Sequence, residues 1–366
     1  MLIKSVVDAL SDNRCVLLEL SALTPWPGKM RELVADYAQS ELDLEGSTFD
    51  ILSAEDFDDG RSPVDVLLDR YALVDVRHGY RASFDAASYL LEHQVLKDRV
   101  VWVTGLEPRQ VEAWMRLVRS WSSKTPTDGL FVIETRGESN PCWERGSTKG
   151  SRCATVVYGE MVGDYSVSLF NGLLVEEISS ASLTVPEKRY CASLLSHVCG
   201  GDVEVSDAVS VNFERLLEDA FDCVCSVADC FEPWRGECDE NNVLTIARKG
   251  QEELINHRVW EAQIEVLFPI LEARRLAVIT QLREQIDGAL KENDVYQFGA
   301  KVIEPEDVEL GTLVYLLSAH CDDDGGRLLY VPDEALRDEI HLLRDCRNNI
   351  AHHKICEWNQ VAWLLE

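Results

Sequence analysis

Arg99-Val100-Val101-Trp102-Val103-Thr104-Gly105 is an apolar run of strand length, rich in β-branched and aromatic residues and closed by a glycine. A strand with one face in water alternates polar and apolar residues. This one does not, so it belongs to a sheet covered on both sides. Outward from it the same signal recurs in Cys15-Val16-Leu17-Leu18-Glu19-Leu20, in Phe49-Asp50-Ile51-Leu52 and in Leu130-Phe131-Val132-Ile133-Glu134-Thr135. Helical patterns over Lys29 to Gln39, Val64 to Tyr71, Phe84 to Leu96 and Pro108 to Trp121 separate these strands. Such alternation predicts an α/β domain with a parallel sheet.

Beyond the last of these strands, residues 137–150 are polar and glycine-rich, as in an exposed loop. Alternation in Ala154-Thr155-Val156-Val157-Tyr158 and in Tyr165-Ser166-Val167-Ser168-Leu169-Phe170 predicts a strand pair or a further sheet edge. From Pro186 to Asp229 the pattern is helical. A polar boundary at Asn241-Asn242 precedes a segment that reads almost wholly as helix: Gln251 to Leu267, a kink or break at Pro269, Leu271 to Leu290, Pro305 to His320, Pro332 to His353, and a short helix over Trp358 to Leu365. The expected division is an α/β domain over 1–180, a small helical subdomain over 181–244 and an all-α bundle over 245–366.

The chain has 366 residues, 46% of them hydrophobic and 27% charged, a composition that supports folded domains rather than disorder. Its formal charge of −30 repels polyanions and argues against sequence-independent DNA binding. A local basic pocket, or a basic partner protein, is compatible with that charge. No apolar run reaches the ~20 residues that span a bilayer, and the first residues lack the apolar core of a secretory signal, so the expectation is a cytoplasmic protein without membrane contact. Cys15, Cys191, Cys199 and Cys346 lie in apolar segments and read as buried thiols. Cys223, Cys225, Cys230 and Cys238 are separated by one, four and seven residues, which departs from the paired spacing of zinc ligands. Asp322-Asp323-Asp324-Gly325-Gly326 lacks the closing Glu of an EF-hand and reads as a loop tip. No metal is expected.

The order of strand, loop ending in Gly28-Lys29, helix, and then the strands from Val100 and Phe131 resembles the core of P-loop ATPases of the AAA or STAND kind. That resemblance implies a P-loop-like first domain, with the helical subdomain as a lid and Gly28 and Lys29 as the nucleotide contacts. The loop departs from the phosphate-cradling pattern, which needs glycines and a hydroxyl. Leu23 stands at the first glycine position, Pro25 and Pro27 each remove an amide donor, and Met30 replaces the Ser or Thr. Thr104 stands where the magnesium-binding acid belongs, with Glu107 three residues on. A degenerate site without ATP hydrolysis is the expectation, nucleotide binding at Gly28 and Lys29 being the alternative.

Near the carboxyl end, Leu336, Ile340, Leu343 and Ile350 define a buried helical stripe. At about 100° per residue, Asn348 and His352 fall one turn apart, nearly opposite that stripe, and Arg347 flanks it. Arg347-Asn348-Asn349-Ile350-Ala351-His352, on a late helix of a bundle, resembles the motif of HEPN (higher eukaryotes and prokaryotes nucleotide-binding) domains, an Arg separated by a short spacer from a His and often followed by Asn. The resemblance implies metal-independent RNA cleavage in a cleft between two such domains. His352 would be the general acid or base, Arg347 the phosphate clamp and Asn348 the orienting group, with His353 as an alternate partner. The chemistry suits these residue types, because an imidazole titrates near ~6.5 and a guanidinium stays charged. A homodimer through this domain, or a protein partner, is implied, and the layout is that of prokaryotic toxins and antiphage-defence effectors. The other reading is a non-catalytic subunit in a larger complex.

Overall fold

Five parallel strands form the sheet that the alternation predicts, in the order β2-β3-β4-β1-β5. They are β1 (Cys15–Leu20), β2 (Thr48–Ser53), β3 (Arg99–Thr104), β4 (Leu130–Arg136) and β5 (Cys153–Val157). The computed structural model describes residues 2–21, 23–41, 47–57, 60–124, 129–136, 152–178, 183–232, 235, 239–320 and 327–366. The loop expected over 137–150, Cys238 and the Asp322 to Gly326 tip lie outside the described residues.

The helices of this part are α1 (Leu2–Ser11), α2 (Pro27–Glu41), α3 (Pro63–Tyr71), α4 (Val74–Gly79), α5 (Ala86–Glu92) and α6 (Pro108–Ser123). Helix α6 starts at a proline and is capped reciprocally by Glu107 and Gln110, which satisfies two of its free amides. Its Val111, Trp114, Met115, Val118 and Trp121 recur at helical spacing and are buried. Trp121 meets Phe131 of β4 edge-on at 5.9 Å and donates Nε1–H to the Gly129 carbonyl at 2.9 Å. Gly129 sits at φ +89°, and a Cβ there would lie 2.7 Å from the Leu96 carbonyl, so only glycine fits. Each such buried side chain contributes ~1.5–3 kcal/mol, which is what holds the helices on the sheet.

The chain divides into two compact units, Met1–Asp164 with Trp234–Asp239, and Tyr165–Pro233 with Glu240–Glu366. The boundary differs from the expected ones near 180 and 244. Residues 165–170, expected as a strand, belong to α7 (Asp164–Ile178), because Val167, Asn171, Leu174 and Val175 continue a helical period that a six-residue window cannot show. The segment expected as a separate lid shares one hydrophobic core with the bundle, running from Leu174 through Cys191, Val224 and Leu267 to Leu365.

The second unit continues with α8 (Val185–Cys199), α9 (Val203–Ser210), α10 (Phe213–Glu218), α11 (Ala220–Ala228), α12 (Val243–Arg248), α13 (Glu252–Gln281), α14 (Arg283–Glu292), a hairpin of β6 (Tyr296–Gln297) and β7 (Ala300–Lys301), then α15 (Leu310–Ser318), α16 (Glu334–Ala351) and α17 (Trp358–Leu365). Of the kink or break expected at Pro269, the break does not occur, since α13 runs through it as one helix. The buried stripe Ile255, Val259, Val266, Leu271 and Val278 runs along both sides of the proline and offsets the backbone bond it removes. Among the described residues no helix is long and apolar enough to cross a membrane.

Candidate functional site

Two places bring chemically capable side chains together, one in each unit. In the first unit the chain leaves β1 toward β2 and leaves β4 in the opposite direction toward β5. The switch point of the sheet therefore lies between β1 and β4, where open parallel sheets bind ligands at the carboxyl ends of their strands. Beside that place, across β3 and β4, lies a buried ionic network. Glu134 of β4 is 1% exposed. Its carboxylate accepts from Arg31 Nε at 2.9 Å and Nη2 at 3.3 Å, from Trp102 Nε1 at 3.0 Å and from Thr104 Oγ1 at 2.8 Å. Four donors on one carboxylate explain how a charge is buried there.

Three amides of the loop before α2 are already hydrogen-bonded within it. Ser21 N–H and Leu23 N–H are taken by the Thr24 and Ser21 hydroxyls, and Thr24 N–H bonds the Ser21 carbonyl. Gly28 and Lys29 are exposed in the first turn of α2, and Lys29 Nζ pairs with Glu32 on the same helix at 2.8 Å. Met30 is buried in the core where a magnesium-binding hydroxyl would stand. Thr104 spends its hydroxyl on Glu134, and Glu107 is committed to capping α6.

In the second unit, Leu336, Ile340, Leu343, Cys346 and Ile350 are the buried side of α16, and Asp333 caps its start. Arg347 and Asn348 are half-buried on the neighbouring side. Arg347 Nη1 donates to Asn348 Oδ1 at 3.4 Å, and Nη2 reaches Glu309 Oε2 at 3.3 Å. Glu309 precedes α15 and donates its own backbone N–H to Gln297 Oε1 at 3.0 Å, which anchors the main chain there. Both members of the Arg347–Glu309 pair are about a third or more exposed, at 35% and 40%. Such a pair is worth ~0–1 kcal/mol, so a phosphate that offers two oxygens to the same guanidinium competes with it.

The helix ends earlier than the motif suggests. His352 is the C-cap, not a helical residue, and its ring is exposed. His353 follows in the left-handed region at φ +57°. Lys354 N–H bonds the Asn349 carbonyl at 2.8 Å and His353 N–H bonds the Ile350 carbonyl at 3.3 Å, the crossed pair that closes a helix when a glycine stands in this position. A histidine there is strained by ~1 kcal/mol. The offsetting contact is Trp260 of α13, whose ring stacks on His353 at 4.3 Å and donates Nε1–H to the Ile350 carbonyl at 2.7 Å. His257 lies in a nearly parallel plane, 5.2 Å from Trp260.

Glu309, Trp260 and His257 are thus the neighbours that the sequence did not indicate. Glu309 is 38 residues from Arg347, and no periodicity links the two positions. The structure brings Arg347 and Asn348 into contact and puts His352 at the end of the same helix. Gly28 and Lys29 are adjacent to each other, with Lys29 bound within its own helix.

The cysteines are placed by packing. Cys15, Cys191 and Cys199 are buried, and burial pushes each thiol up to about 12. Cys223 is buried in α11, Cys225 is half-buried and Cys230 is exposed. Among the described residues no group of three or more His, Cys, Asp or Glu is arranged to hold a metal. No protein-family model matches the chain, and no curated protein or solved structure shows significant similarity to it.

Proposed function

We propose that the second unit is a HEPN-like helical module in which Arg347, Asn348 and His352 cleave RNA without a metal. The site becomes complete when a second copy, or a partner protein, closes over it. The observation that carries this reading is the hydrogen-bonded Arg347–Asn348 pair on the last turn of α16, with the His352 ring exposed at the same helix end. In the reaction His352 takes the proton of a ribose 2′-hydroxyl, and that oxygen attacks the adjacent phosphorus. Arg347 exchanges Glu309 for the phosphate and stabilises the pentacovalent state. The bond from phosphorus to the 5′-oxygen breaks, and the leaving oxygen regains a proton from the imidazolium. The products are a cyclic phosphate and a 5′-hydroxyl.

Asn348 orients Arg347 through its side-chain oxygen. The first unit is a degenerate P-loop ATPase-like module serving as a sensor, and the setting is a prokaryotic toxin or antiphage-defence effector in the cytoplasm; both follow from analogy of layout. The test is expression of the wild type, His352→Ala and Arg347→Ala, followed by sequencing of RNA ends that carry cyclic phosphates. Such ends with the wild type alone support the reading, and identical end profiles in all three would refute it.

A second reading is a non-catalytic subunit or adaptor of a larger complex. It is favoured by Glu309, which occupies the Arg347 guanidinium, and by the −30 charge. In that case Arg347 and His352 are contact residues, and His352→Ala weakens co-purification of the partner while leaving RNA intact.

A further inference from the structure

A cavity of about 550 Å³ lies in the second unit, walled by α8, by the junction of α10 and α11, by the first half of α13 and by the start of α17. None of its lining residues has a part in the proposed RNA chemistry. Its size falls in the ~300–1,000 Å³ range of small-molecule sites. Leu194, Leu216 and Val259 give it a buried apolar floor.

Among the described residues four carboxylates line it, those of Glu218, Asp219, Glu252 and Glu357, all on exposed residues at the rim. No described Lys or Arg lines the cavity or pairs with any of the four. The residues of this unit outside the described ones, 179–182, 233 and 321–326, contain no Lys or Arg either. Helix ends account for part of this charge. Asp219 caps α11, Glu357 caps α17, and Glu252 stands in the first turn of α13. A helix start carries ~0.5 of a positive elementary charge, so three starts offset less than half of the four carboxylates. Glu218 has no such reason for its place. It ends α10, the negative end of a helix, and among the described residues it has neither a hydrogen bond nor an ion pair.

The wall supplies two further groups. Trp358 is half-buried, with its ring stacked 6.2 Å from that of Tyr190 at 18°. An indole attracts a cation that comes within ~6 Å of its ring. Tyr190, also in the lining, is 3% exposed and carries a donor without an acceptor. Its oxygen accepts from Gln263 Nε2 at 3.4 Å, and among the described residues nothing accepts its own O–H proton. Gln263 is itself spent on the Cys356 main chain, accepting from the N–H at 2.7 Å and donating to the carbonyl at 2.9 Å. A buried donor left without a bond is costly, so an oxygen on a ligand is its fitting partner. We infer that this cavity binds a small organic ammonium ion that carries an oxygen, the cation held by Glu218, Glu252 and the Trp358 ring and the oxygen accepting from Tyr190.

The test titrates the full-length protein with two ammonium alcohols and their uncharged carbon analogues, followed by ligand-observed nuclear magnetic resonance. Choline is compared with 3,3-dimethylbutan-1-ol, and ethanolamine with propan-1-ol. The wild type binds the better ammonium at one site per chain, about tenfold or more tighter than its neutral analogue. Which of the two binds better tells a methylated from a primary ammonium. The pair Glu218→Gln with Glu252→Gln weakens that ammonium by about tenfold or more and leaves the neutral analogue within about twofold, because the lost charge acts only on the cation. Tyr190→Phe weakens it by about threefold or more and leaves its oxygen-free counterpart, tetramethylammonium or ethylammonium, unchanged. Asn256→Trp fills the cavity and removes binding. Saturation by neither ammonium, a neutral analogue that binds as tightly, or equal losses of the two in the double variant would overturn the inference. So would equal changes with and without the oxygen in Tyr190→Phe, or unchanged binding in a folded Asn256→Trp. Glu218 and Glu252 are exposed, so the double variant remains a test should Asn256→Trp fail to fold.

Discussion

Replacing Arg31 by Met removes the only cation among the four donors that hold the Glu134 carboxylate. The two side chains are 15% and 0% exposed, so solvent screens their pairing little. Breaking a buried pair by deleting one partner costs about 3–5 kcal/mol, because the remaining charge is left uncompensated. Trp102 and Thr104 still bond Glu134, which places Arg31→Met at the lower end, about 3 kcal/mol. The double variant Arg31→Met with Glu134→Gln also removes the charge and keeps an oxygen acceptor for Trp102, so its cost falls to about 1–2 kcal/mol. The double variant is therefore expected to be about 1–2 kcal/mol more stable than Arg31→Met alone. Urea unfolding followed by tryptophan fluorescence and by far-ultraviolet circular dichroism reads these differences, the first unit carrying the buried Trp102, Trp114 and Trp121. If Arg31→Met lowers stability by less than about 1 kcal/mol, or if the double variant is no more stable than the single one, Glu134 is not held there as a buried ion.

Two further outcomes follow from the first unit. Calorimetry with ATP and magnesium gives no binding heat for the wild type, and Lys29→Ala behaves identically, because Met30 is buried where a magnesium-binding hydroxyl would stand and the amides of Ser21, Leu23 and Thr24 are already hydrogen-bonded; a heat that disappears in Lys29→Ala would show that the loop does cradle phosphate. The Ser88 hydrogen bonds and the Lys124 ammonium hold the Asp85 carboxyl down at about 2, below the ~3.9 of an unfolded chain. Its contribution to stability is thus complete above pH ~4 and is lost as the pH falls toward 2. Asp85→Asn should lower the melting temperature at neutral pH and flatten its dependence over that acid interval relative to wild type, and parallel profiles for the two proteins would contradict the assignment.

Much of the first unit was legible from residue pattern. The apolar runs at Cys15, Arg99 and Leu130 read as covered parallel strands, and the Val111 to Trp121 period as a helix packed on one side. Local pattern failed where a longer-range term outweighed it. Residues 165–170 match a strand over six positions and a helix over fifteen. Pro269 reads as a kink or break, yet buried contacts on either side carry α13 through it as one helix. No window in the sequence shows that the lid-like segment and the final bundle share a core, because that depends on which apolar faces meet.

The candidate site divides in the same way. By itself the sequence determined the residue types Arg347, Asn348 and His352, their place near the end of a late helix, and the missing glycines and hydroxyl of the Gly28-Lys29 loop. Only the tertiary structure decided what those groups touch. It ended α16 at Ala351 through the stack of His353 on Trp260, set Glu309 against Arg347, and paired Arg31 with Glu134 beside the sheet's switch point. The physical reason is range. Backbone propensity and apolar periodicity act over a few residues and can be read along the chain, whereas ion pairs and ring stacks join positions separated by dozens of residues and exist only once the core has brought them together.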